Sequence, residues 1–245
     1  MNSMDEVAKD SVHSRRVAFF GGSFDPPHLG HLAVARAARD AFKLDTVLFA
    51  PVGAQPLKMN GSTASFEDRV NLTRLAIADE PGFAVSLADA PKPSGEPNYT
   101  IDTLLGLRAE LPSDAVLFCL MGADSFFSLR QWHRSAEIPF VAPLIVASRP
   151  QSFIADLKSA LPAGLTIEPA PTCDELISSI EVRTYLIRNP QIHEAHLYLL
   201  PGLDVEISAS DIREQVRASL GNLASGDSVL PDAVFQAIRA RGLYR

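Results

Sequence analysis

RVAFFGGSFDPPHLGH, residues 16–31, is an apolar run that leads into a loop rich in glycine and proline. Arg16–Phe20 suits a buried strand, because it is short, apolar and followed by turn-forming residues. From His28 to Phe42 the apolar residues recur at helical spacing, and neither glycine nor proline follows Gly30. This stretch therefore predicts a strand, a loop and a helix in succession.

The alternation of strand and helix patterns continues along the chain. Further buried strands are predicted at Thr46–Ala50, Ala115–Met121, Leu144–Ala147 and His196–Leu200. Further helices are predicted at 65–78, 100–111, 208–220 and 231–241. Such alternation predicts an α/β fold with a doubly wound, mostly parallel sheet, whose ligands bind at the carboxyl ends of the strands.

Length and composition set the expected organisation. The chain has 245 residues, of which 47% are hydrophobic, so it can bury one good core. We expect a single domain over residues 16–245, with an elaborated region at about 150–195 where prolines interrupt the pattern. Residues 1–15 are expected to form a frayed leader, because they carry charges and lack the apolar stretch of a secretory signal. No apolar run approaches the roughly 20 residues that a membrane-spanning helix needs, so we expect a cytoplasmic protein.

Charge and cysteine content argue against several classes of function. The net charge of -7 disfavours a general nucleic-acid-binding protein, which needs many clustered lysines and arginines. Any positive field that attracts phosphates must therefore be local. The two cysteines, Cys119 and Cys173, indicate neither a disulfide framework nor a zinc site, and the apolar run around Cys119 suits a small buried thiol.

The loop Gly21–His31 carries groups suited to binding phosphates. Its two leading glycines let the backbone approach a ligand closely, and the free N–H groups where the helix begins attract an anion. His28 and His31 lie three residues apart, so both imidazoles can donate hydrogen bonds into the same site. The loop therefore predicts an anion-binding site at the start of the helix.

Three other interpretations of this loop are weaker. A hydride-transfer site of the Rossmann type needs the spacing G-x-G-x-x-G, which is absent here. A metal site needs a third histidine or cysteine ligand close by, and the sequence provides none. A tight turn with incidental histidines remains, but two glycines, two prolines and two histidines in one strand-to-helix junction disfavour it.

A second candidate segment, ISASDIR at Ile207–Arg213, lies at the start of the helix predicted at 208–220. Hydroxyl groups and backbone N–H groups at a helix start can bind the oxygens of an anion such as a phosphate. Arg213 adds a permanently charged group with several donors. The alternative is an ordinary helix cap with Arg213 in a surface ion pair, and this segment alone favours that alternative.

Both segments resemble signatures of one protein superfamily. GGSFDPPHLGH is similar to the HxGH signature of the nucleotidyltransferases, in the form found in nicotinate-nucleotide adenylyltransferases, and ISASDIR resembles their ISxxxxR signature. PNYTIDTL at 97–104 resembles that family's SYTxDTL helix start, residues 121–132 resemble its GxD…W segment, and SRP at 148–150 also looks similar. The resemblance implies a Rossmann-like nucleotidyltransferase fold.

The resemblance also implies a reaction. Such enzymes transfer the adenylyl group of ATP to nicotinate mononucleotide, giving nicotinate adenine dinucleotide and pyrophosphate in NAD biosynthesis. The expected mechanism is direct in-line attack without a covalent intermediate, because the attacking 5′-phosphate is already an anion at neutral pH. Magnesium is expected to arrive with ATP, bound through phosphate oxygens and water, so no dedicated metal site is predicted.

Each site residue receives an expected role from this resemblance. The expected catalytic residues are His28, His31 and Arg213. The residues expected to bind ATP are Gly21, Gly22, Ser23, Phe24, Gly30, Ile207, Ser208 and Ser210. The residues expected to bind the mononucleotide are Asp25, Lys58, Tyr99, Thr100, Asp124, Trp132 and Arg149.

Four of the residues assigned to the mononucleotide also have plain structural explanations. Thr100 and Asp124 are each placed where a side chain caps a helix. Trp132 suits a partly buried packing anchor, and Asp25 suits a turn. For these residues the family resemblance, and not the residue type, decides between the two explanations.

Some features of the expected activity stay open. The family's usual P-x-H-K element appears as Pro56-Leu57-Lys58, so the lysine is kept but a histidine donor is lost. Nicotinamide mononucleotide or phosphopantetheine is an alternative acceptor, and a cytidylyltransferase shares both signatures. A nucleotide-binding regulator without turnover is the alternative from another class. No nucleic-acid or membrane partner is expected, and association into a homo-oligomer stays open.

Overall fold

The computed structural model describes residues 14–57, 61–147, 154–171, 182–200, 209–218 and 229–245. Its strands are β1 Arg16–Gly22, β2 Thr46–Pro51, β3 Phe83–Val85, β4 Val116–Gly122, β5 Leu144–Ala147, β6 Thr166–Pro169, β7 Arg183–Arg188 and β8 Glu194–Leu200. Its α-helices are α1 Leu29–Phe42, α2 Phe66–Ala76, α3 Thr100–Glu110, α4 Ala123–Ser128, α5 Ile138–Val141, α6 Ile154–Ala160, α7 Ala209–Ala218 and α8 Asp232–Arg241. A one-turn 3-10 helix, Leu129–Gln131, follows α4.

The described strands form one eight-stranded sheet in the order β3-β2-β1-β4-β5-β8-β7-β6. Neighbouring strands run parallel from β3 through to β8. The pairs β8–β7 and β7–β6 are antiparallel. The predicted α/β fold with a mostly parallel, doubly wound sheet is therefore confirmed. The strand order reverses at β1, and in open α/β sheets ligands bind beyond the strand ends at such a point.

Alternating residues of the central strands pack against helices on both faces of the sheet. In β1, Ala18 and Phe20 join one core, while Val17 and Phe19 join the other. The first core, which we call the α1 layer, contains residues of α1, α2, α7 and α8. The second, which we call the α3 layer, contains residues of α3, α4, α5 and α6. Both faces of the strands that carry the candidate site are thus covered.

Local sequence explains where several helices begin and end. The Ser65 hydroxyl accepts a hydrogen bond from the Asp68 backbone N–H at 3.1 Å, so Ser65 caps α2. Helix α1 ends where Lys43 adopts a left-handed conformation with φ of 48°. Each predicted strand and helix lies within two residues of an observed one over the described part of the chain.

The region at about 150–195 contributes more regular structure than its sequence indicates. Its described residues include α6, β6 and β7. The β6–β7 pair extends the parallel sheet as an antiparallel edge, which no pattern in the sequence predicts. Over the described ranges, no helix is long and apolar enough to cross a membrane.

The buried thiol expected at Cys119 is confirmed. Cys119 lies in β4 and packs in the core of the α3 layer. Burial raises the pKa of its thiol to about 12, with a smaller contribution from the charge of Asp89. At neutral pH the thiol is therefore protonated and acts as a small apolar group.

Candidate active site

A cavity of about 900 Å³ lies at the carboxyl ends of the central strands β1 and β4. Both candidate segments reach it, because His28, His31 and Arg213 all line its wall. The other predicted site residues that line it are Gly21, Gly22, Ser23, Phe24, Asp25, Gly30, Tyr99, Thr100, Asp124 and Trp132. Ser210 lines a neighbouring groove that shares Arg213. The predicted site residues Lys58, Arg149, Ile207 and Ser208 lie outside the described residues.

The two histidines lie together where α1 begins. His28 is the N-cap residue, and its backbone N–H donates to Nδ1 of His31 at 3.2 Å. The ring centroids of the two imidazoles are 3.7 Å apart with the planes inclined by 31°. Because Nδ1 of His31 accepts a hydrogen bond, a neutral His31 carries its proton on Nε2. That N–H is the donor available to an anion.

Burial keeps both imidazoles neutral at physiological pH. It lowers the pKa of His28 to about 4. Burial and then the charge of His28 also lower the pKa of His31 well below its ordinary value. Nδ1 of His28 is buried and has no hydrogen-bond partner among the described residues. A buried polar atom without a partner is costly, and a ligand in the cavity would remove that cost.

The backbone of the loop after β1 is closely packed. A Cβ atom at Gly21 would lie 2.8 Å from the ring of Phe19, so a side chain here would displace that ring. Phe24 is buried with a positive φ of 46°, an uncommon conformation for a residue with a side chain. Its ring lies edge-on to His31 with centroids 4.9 Å apart. The ring of Phe24 therefore packs against the imidazole of His31.

Both carboxylate oxygens of Asp25 accept hydrogen bonds from other residues of the protein. Oδ2 accepts from the Thr63 backbone N–H at 2.6 Å, and Oδ1 accepts from the Ala64 backbone N–H at 3.1 Å. Oδ1 also accepts from the Tyr244 hydroxyl at 2.9 Å. Only 4% of the residue is exposed. These contacts favour the positioning of the loop over the direct mononucleotide contact expected from the resemblance.

Arg213 joins the two candidate segments directly. Its Nη1 donates to the backbone carbonyl of Asp25 at 2.7 Å, across 188 residues of sequence. Its Nη2 donates to Oγ of Ser210 at 3.0 Å. A guanidinium carries five N–H donors, so these contacts leave others to face a ligand. The start of α7 is thereby fixed against the histidine loop.

Aromatic side chains form the other end of the cavity. Tyr99 is the N-cap of α3 but makes no side-chain hydrogen bond to its first turn, and Thr100 is the first helical residue. The rings of Tyr99 and His133 lie 4.3 Å apart, centroid to centroid. Trp132 is half-buried, and its Nε1 donates to Oγ of Ser128 at 3.1 Å. This end thus combines stacking surfaces with the N-terminus of a helix.

Two of the plain structural alternatives are wrong. Thr100 is not the cap of α3, because Tyr99 occupies that position. Asp124 is not the cap of α4, because Gly122 occupies that position and Asp124 lies in the first turn. The carboxylate of Asp124 is exposed at the cavity wall.

Comparison with known proteins agrees with this geometry. A family model described as cytidylyltransferase-like matches residues 19–215. A "Probable nicotinate-nucleotide adenylyltransferase" of Gloeobacter violaceus is 38% identical over 229 residues, which cover 94% of this chain and 96% of that relative. A protein of the same name from Roseiflexus sp. is 34% identical over 237 residues, covering 96% of this chain and 100% of that relative.

The chain belongs to the nicotinate-nucleotide adenylyltransferase family. One similar solved structure is that of Plasmodium falciparum nicotinic acid mononucleotide adenylyltransferase complexed with NaAD. Its TM-score against the present structure is 0.63. The sequence identity is 16%, with 94% of this chain and 97% of that chain covered, so this likeness shows a shared fold.

In this adenylyltransferase family member, a buried arginine that sequence analysis missed holds two residues of the cavity wall. Arg69 in α2 is 2% exposed, and it donates to the carbonyls of Ser23 at 2.6 Å and Val52 at 2.7 Å. Burial lowers the pKa of Arg69, and the charge of Asp25 opposes that effect. Arg69 lies on the same face of α2 as the buried Leu72 and Ala76. A charged residue on a face that is otherwise buried was the sequence signal that could have identified it.

Two further residues, at the end of the cavity near α3, were missed. Asn98 is buried, accepts from the Ala54 backbone N–H at 3.0 Å and donates to the Ala90 carbonyl at 2.9 Å. Asp89 accepts a short hydrogen bond from the Thr103 hydroxyl, and burial raises the pKa of Asp89 above its ordinary value. These side chains hold the loops after β2 and β3 against α3. Asn98 lies in the segment 97–104, where only Tyr99 and Thr100 were given roles, and no motif marks Asp89.

The described residues of this family member include no group of three or more His, Cys, Asp or Glu side chains that could hold a metal ion. Leu57, at the family's usual histidine position, lines the cavity with 48% of its surface exposed. Its apolar side chain donates no hydrogen bond there. The phosphate contacts on this side therefore depend on other groups.

Proposed function

We propose that this chain transfers the adenylyl group of ATP to nicotinate mononucleotide, giving nicotinate adenine dinucleotide and pyrophosphate in NAD biosynthesis. Membership of the family supports this reaction. The observation that carries it is the direct contact of Arg213 with the Asp25 carbonyl, which brings both signature segments to one cavity. We also propose a cytoplasmic location, because both substrates are water-soluble nucleotides.

The reaction is an in-line substitution at phosphorus. The 5′-phosphate oxygen of the mononucleotide attacks the α-phosphorus of ATP, and the bond from that phosphorus to the bridging oxygen of pyrophosphate breaks. A phosphate monoester has a second pKa of about 6, so the attacking group is ionised without a general base. The protein must align two anions and stabilise the charge that moves onto the phosphate oxygens.

The histidine pair supplies donors to the reacting phosphate in this proposal. Nε2–H of His31 is the ring donor that remains at the start of α1, where backbone N–H groups also attract an anion. His28 lines the same cavity, so its ring can offer a second donor to a ligand. A bound triphosphate would raise the pKa of both rings, because it stabilises the charged form. The site would then become more positive as the reaction requires.

Arg213 and Ser210 are assigned to the outer phosphates of ATP. They lie at the start of α7, and their mutual hydrogen bond fixes the direction of the guanidinium. ATP is expected to carry its magnesium ion, which would neutralise charge on the phosphate oxygens through oxygen and water ligands. Ser208 and Ile207 keep their predicted roles in ATP binding.

The aromatic end of the cavity is assigned to the mononucleotide. Tyr99 and Trp132 offer surfaces on which a pyridine ring can stack. The uncapped N-terminus of α3 at Thr100 favours an anionic group, which supports nicotinate over nicotinamide. Asp124, Lys58 and Arg149 keep their predicted roles in binding this substrate.

The proposal is tested by supplying the purified chain with ATP, magnesium and one acceptor at a time. The acceptors are nicotinate mononucleotide, nicotinamide mononucleotide and phosphopantetheine, and the products measured are pyrophosphate and the adenylylated acceptor. The fastest turnover is expected with nicotinate mononucleotide. No turnover with either pyridine mononucleotide would refute the assignment, and ATP binding without any turnover would favour a regulator.

A further inference from the structure

We infer that Tyr244 is a positioning residue for adenylyl transfer and that it acts through Asp25. Its hydroxyl donates to Oδ1 of Asp25 at 2.9 Å, across 219 residues of sequence. Only 4% of Tyr244 is exposed, so this contact is shielded from water. The inference rests on the proposed function, because it concerns the loop that would hold the α-phosphate of ATP.

The turn after α8 directs Tyr244 towards the loop. Helix α8 ends at Gly242 in a left-handed conformation with φ of 63°, and the Leu243 backbone N–H donates to the Ile238 carbonyl at 3.1 Å. Tyr244 itself has a positive φ of 65°, which is uncommon for a residue with a side chain. Such a conformation is kept where surrounding contacts hold it in place. Here the main polar contact is the one with Asp25.

Helix α8 is in turn fixed to the rest of the α1 layer. Val234 and Phe235 are buried in that core. Nη1 of Arg241 forms an ion pair with Oδ1 of Asp68 in α2 at 2.6 Å. Tyr244 therefore projects from an anchored element, which a positioning role requires.

A displacement of Tyr244 would reach the site through Asp25. It lies between the glycine pair and His28, and its carboxylate accepts from Thr63, Ala64 and Tyr244. Among these three donors, only the Tyr244 hydroxyl comes from a side chain. Because the Asp25 carbonyl also accepts from Arg213, movement of Asp25 would shift the histidine loop and the start of α7 together.

The charges around this contact keep the hydroxyl as the donor. Burial and the Asp25 carboxylate raise the pKa of Tyr244, and Arg213 and Arg69 oppose the rise. At neutral pH the hydroxyl is therefore protonated and donates to the Asp25 carboxylate. The two arginines lie near enough to offset the buried negative charge.

Tyr244→Phe removes this donor and keeps the ring. In the full-length chain we expect kcat to fall about tenfold and ATP to bind several-fold more weakly, because a small misplacement of the loop spoils the in-line geometry. The KM for the mononucleotide is expected to change less than twofold, since its aromatic site lies in the α3 layer. Steady-state kinetics with each substrate varied in turn measures this split.

Tyr185→Phe is the matched control. Tyr185 is a buried tyrosine of β7 that belongs to the core of the α3 layer and does not line the cavity. Its variant is expected to keep the kcat and ATP affinity of the original chain, whatever its melting temperature. Wild-type kinetics for Tyr244→Phe, or an equal loss of kcat in Tyr185→Phe, would overturn the inference.

Two additional measurements keep the inference testable. Affinity for a non-hydrolysable ATP analogue, measured by calorimetry, reports on Tyr244 even if the chain does not use nicotinate mononucleotide, so failure of the inference and of the proposed function are distinguishable. If Tyr244→Phe does not fold, hydrogen exchange of the unaltered chain replaces it. We expect the analogue to slow exchange at Leu243 together with Thr63 and Ala64, and unchanged exchange at Leu243 would overturn the inference.

Discussion

Acidification should destabilise the folded chain through His28. The imidazole has an ordinary pKa of 6.5, which burial lowers to about 4 in the folded state. Between these values the unfolded chain binds more protons than the folded chain, so stability falls as the pH falls below 6.5. The loss from this one group amounts to about 2 kcal/mol at about pH 5 and about 3 kcal/mol at about pH 4.

The assay is urea unfolding without ATP at about pH 7.5 and at about pH 5. His28→Asn cannot titrate, and asparagine is a favourable N-cap residue, so α1 keeps its start. The variant is expected to lose about 2 kcal/mol less stability than the original chain over this pH range. His193→Asn, at an exposed histidine in the turn between β7 and β8, is the control. An equal pH dependence in the original chain and His28→Asn would show that the buried imidazole does not resist protonation.

Three other substitutions have defined outcomes. His31→Ala should lower kcat by about 10²–10³ while the chain still folds, and near-normal turnover would contradict its contact with the reacting phosphate. Arg69→Met should cost about 3 kcal/mol in urea unfolding, because two buried carbonyls lose their donors, whereas the exposed Arg74→Met should cost under about 0.5 kcal/mol. Arg213→Lys keeps the charge but not the fork that reaches the Asp25 carbonyl, so the KM for ATP should rise about tenfold; an unaltered KM would argue against a bidentate role.

Most of the fold was predictable because hydrophobic spacing reports directly on burial. The strand β4 is a continuous apolar run that both core layers cover, and α1 repeats its apolar residues at helical spacing. The edge strands are different. β3 has only three residues, and β6 exposes most of its side chains, so neither carries a clear pattern. Their pairing depends on neighbours that the local sequence does not specify.

The candidate site was predictable where a motif concentrates its residues in one segment. His28, His31 and Arg213 lie within such motifs, and they line the same cavity. Arg69 and Asn98 were missed because they bind backbone groups of loops that are distant in the sequence, although a charged residue on the buried face of α2 marks Arg69. Hydrogen bonds from a side chain to a distant loop become evident only in the three-dimensional structure.

Because the strand order reverses at β1, the two helical layers supply different groups to the cavity. Among the described residues, groups assigned to the nucleoside triphosphate lie in the loop after β1 and at the starts of α1 and α7. The groups assigned to the acceptor, Tyr99, Thr100, Asp124 and Trp132, lie at α3, in α4 and after it, on the other face. If these assignments hold, the acceptor half can be varied separately from the donor half. Libraries confined to α3, α4 and the segment after them offer the direct route to new acceptor chemistry, because the donor half of the enzyme stays untouched.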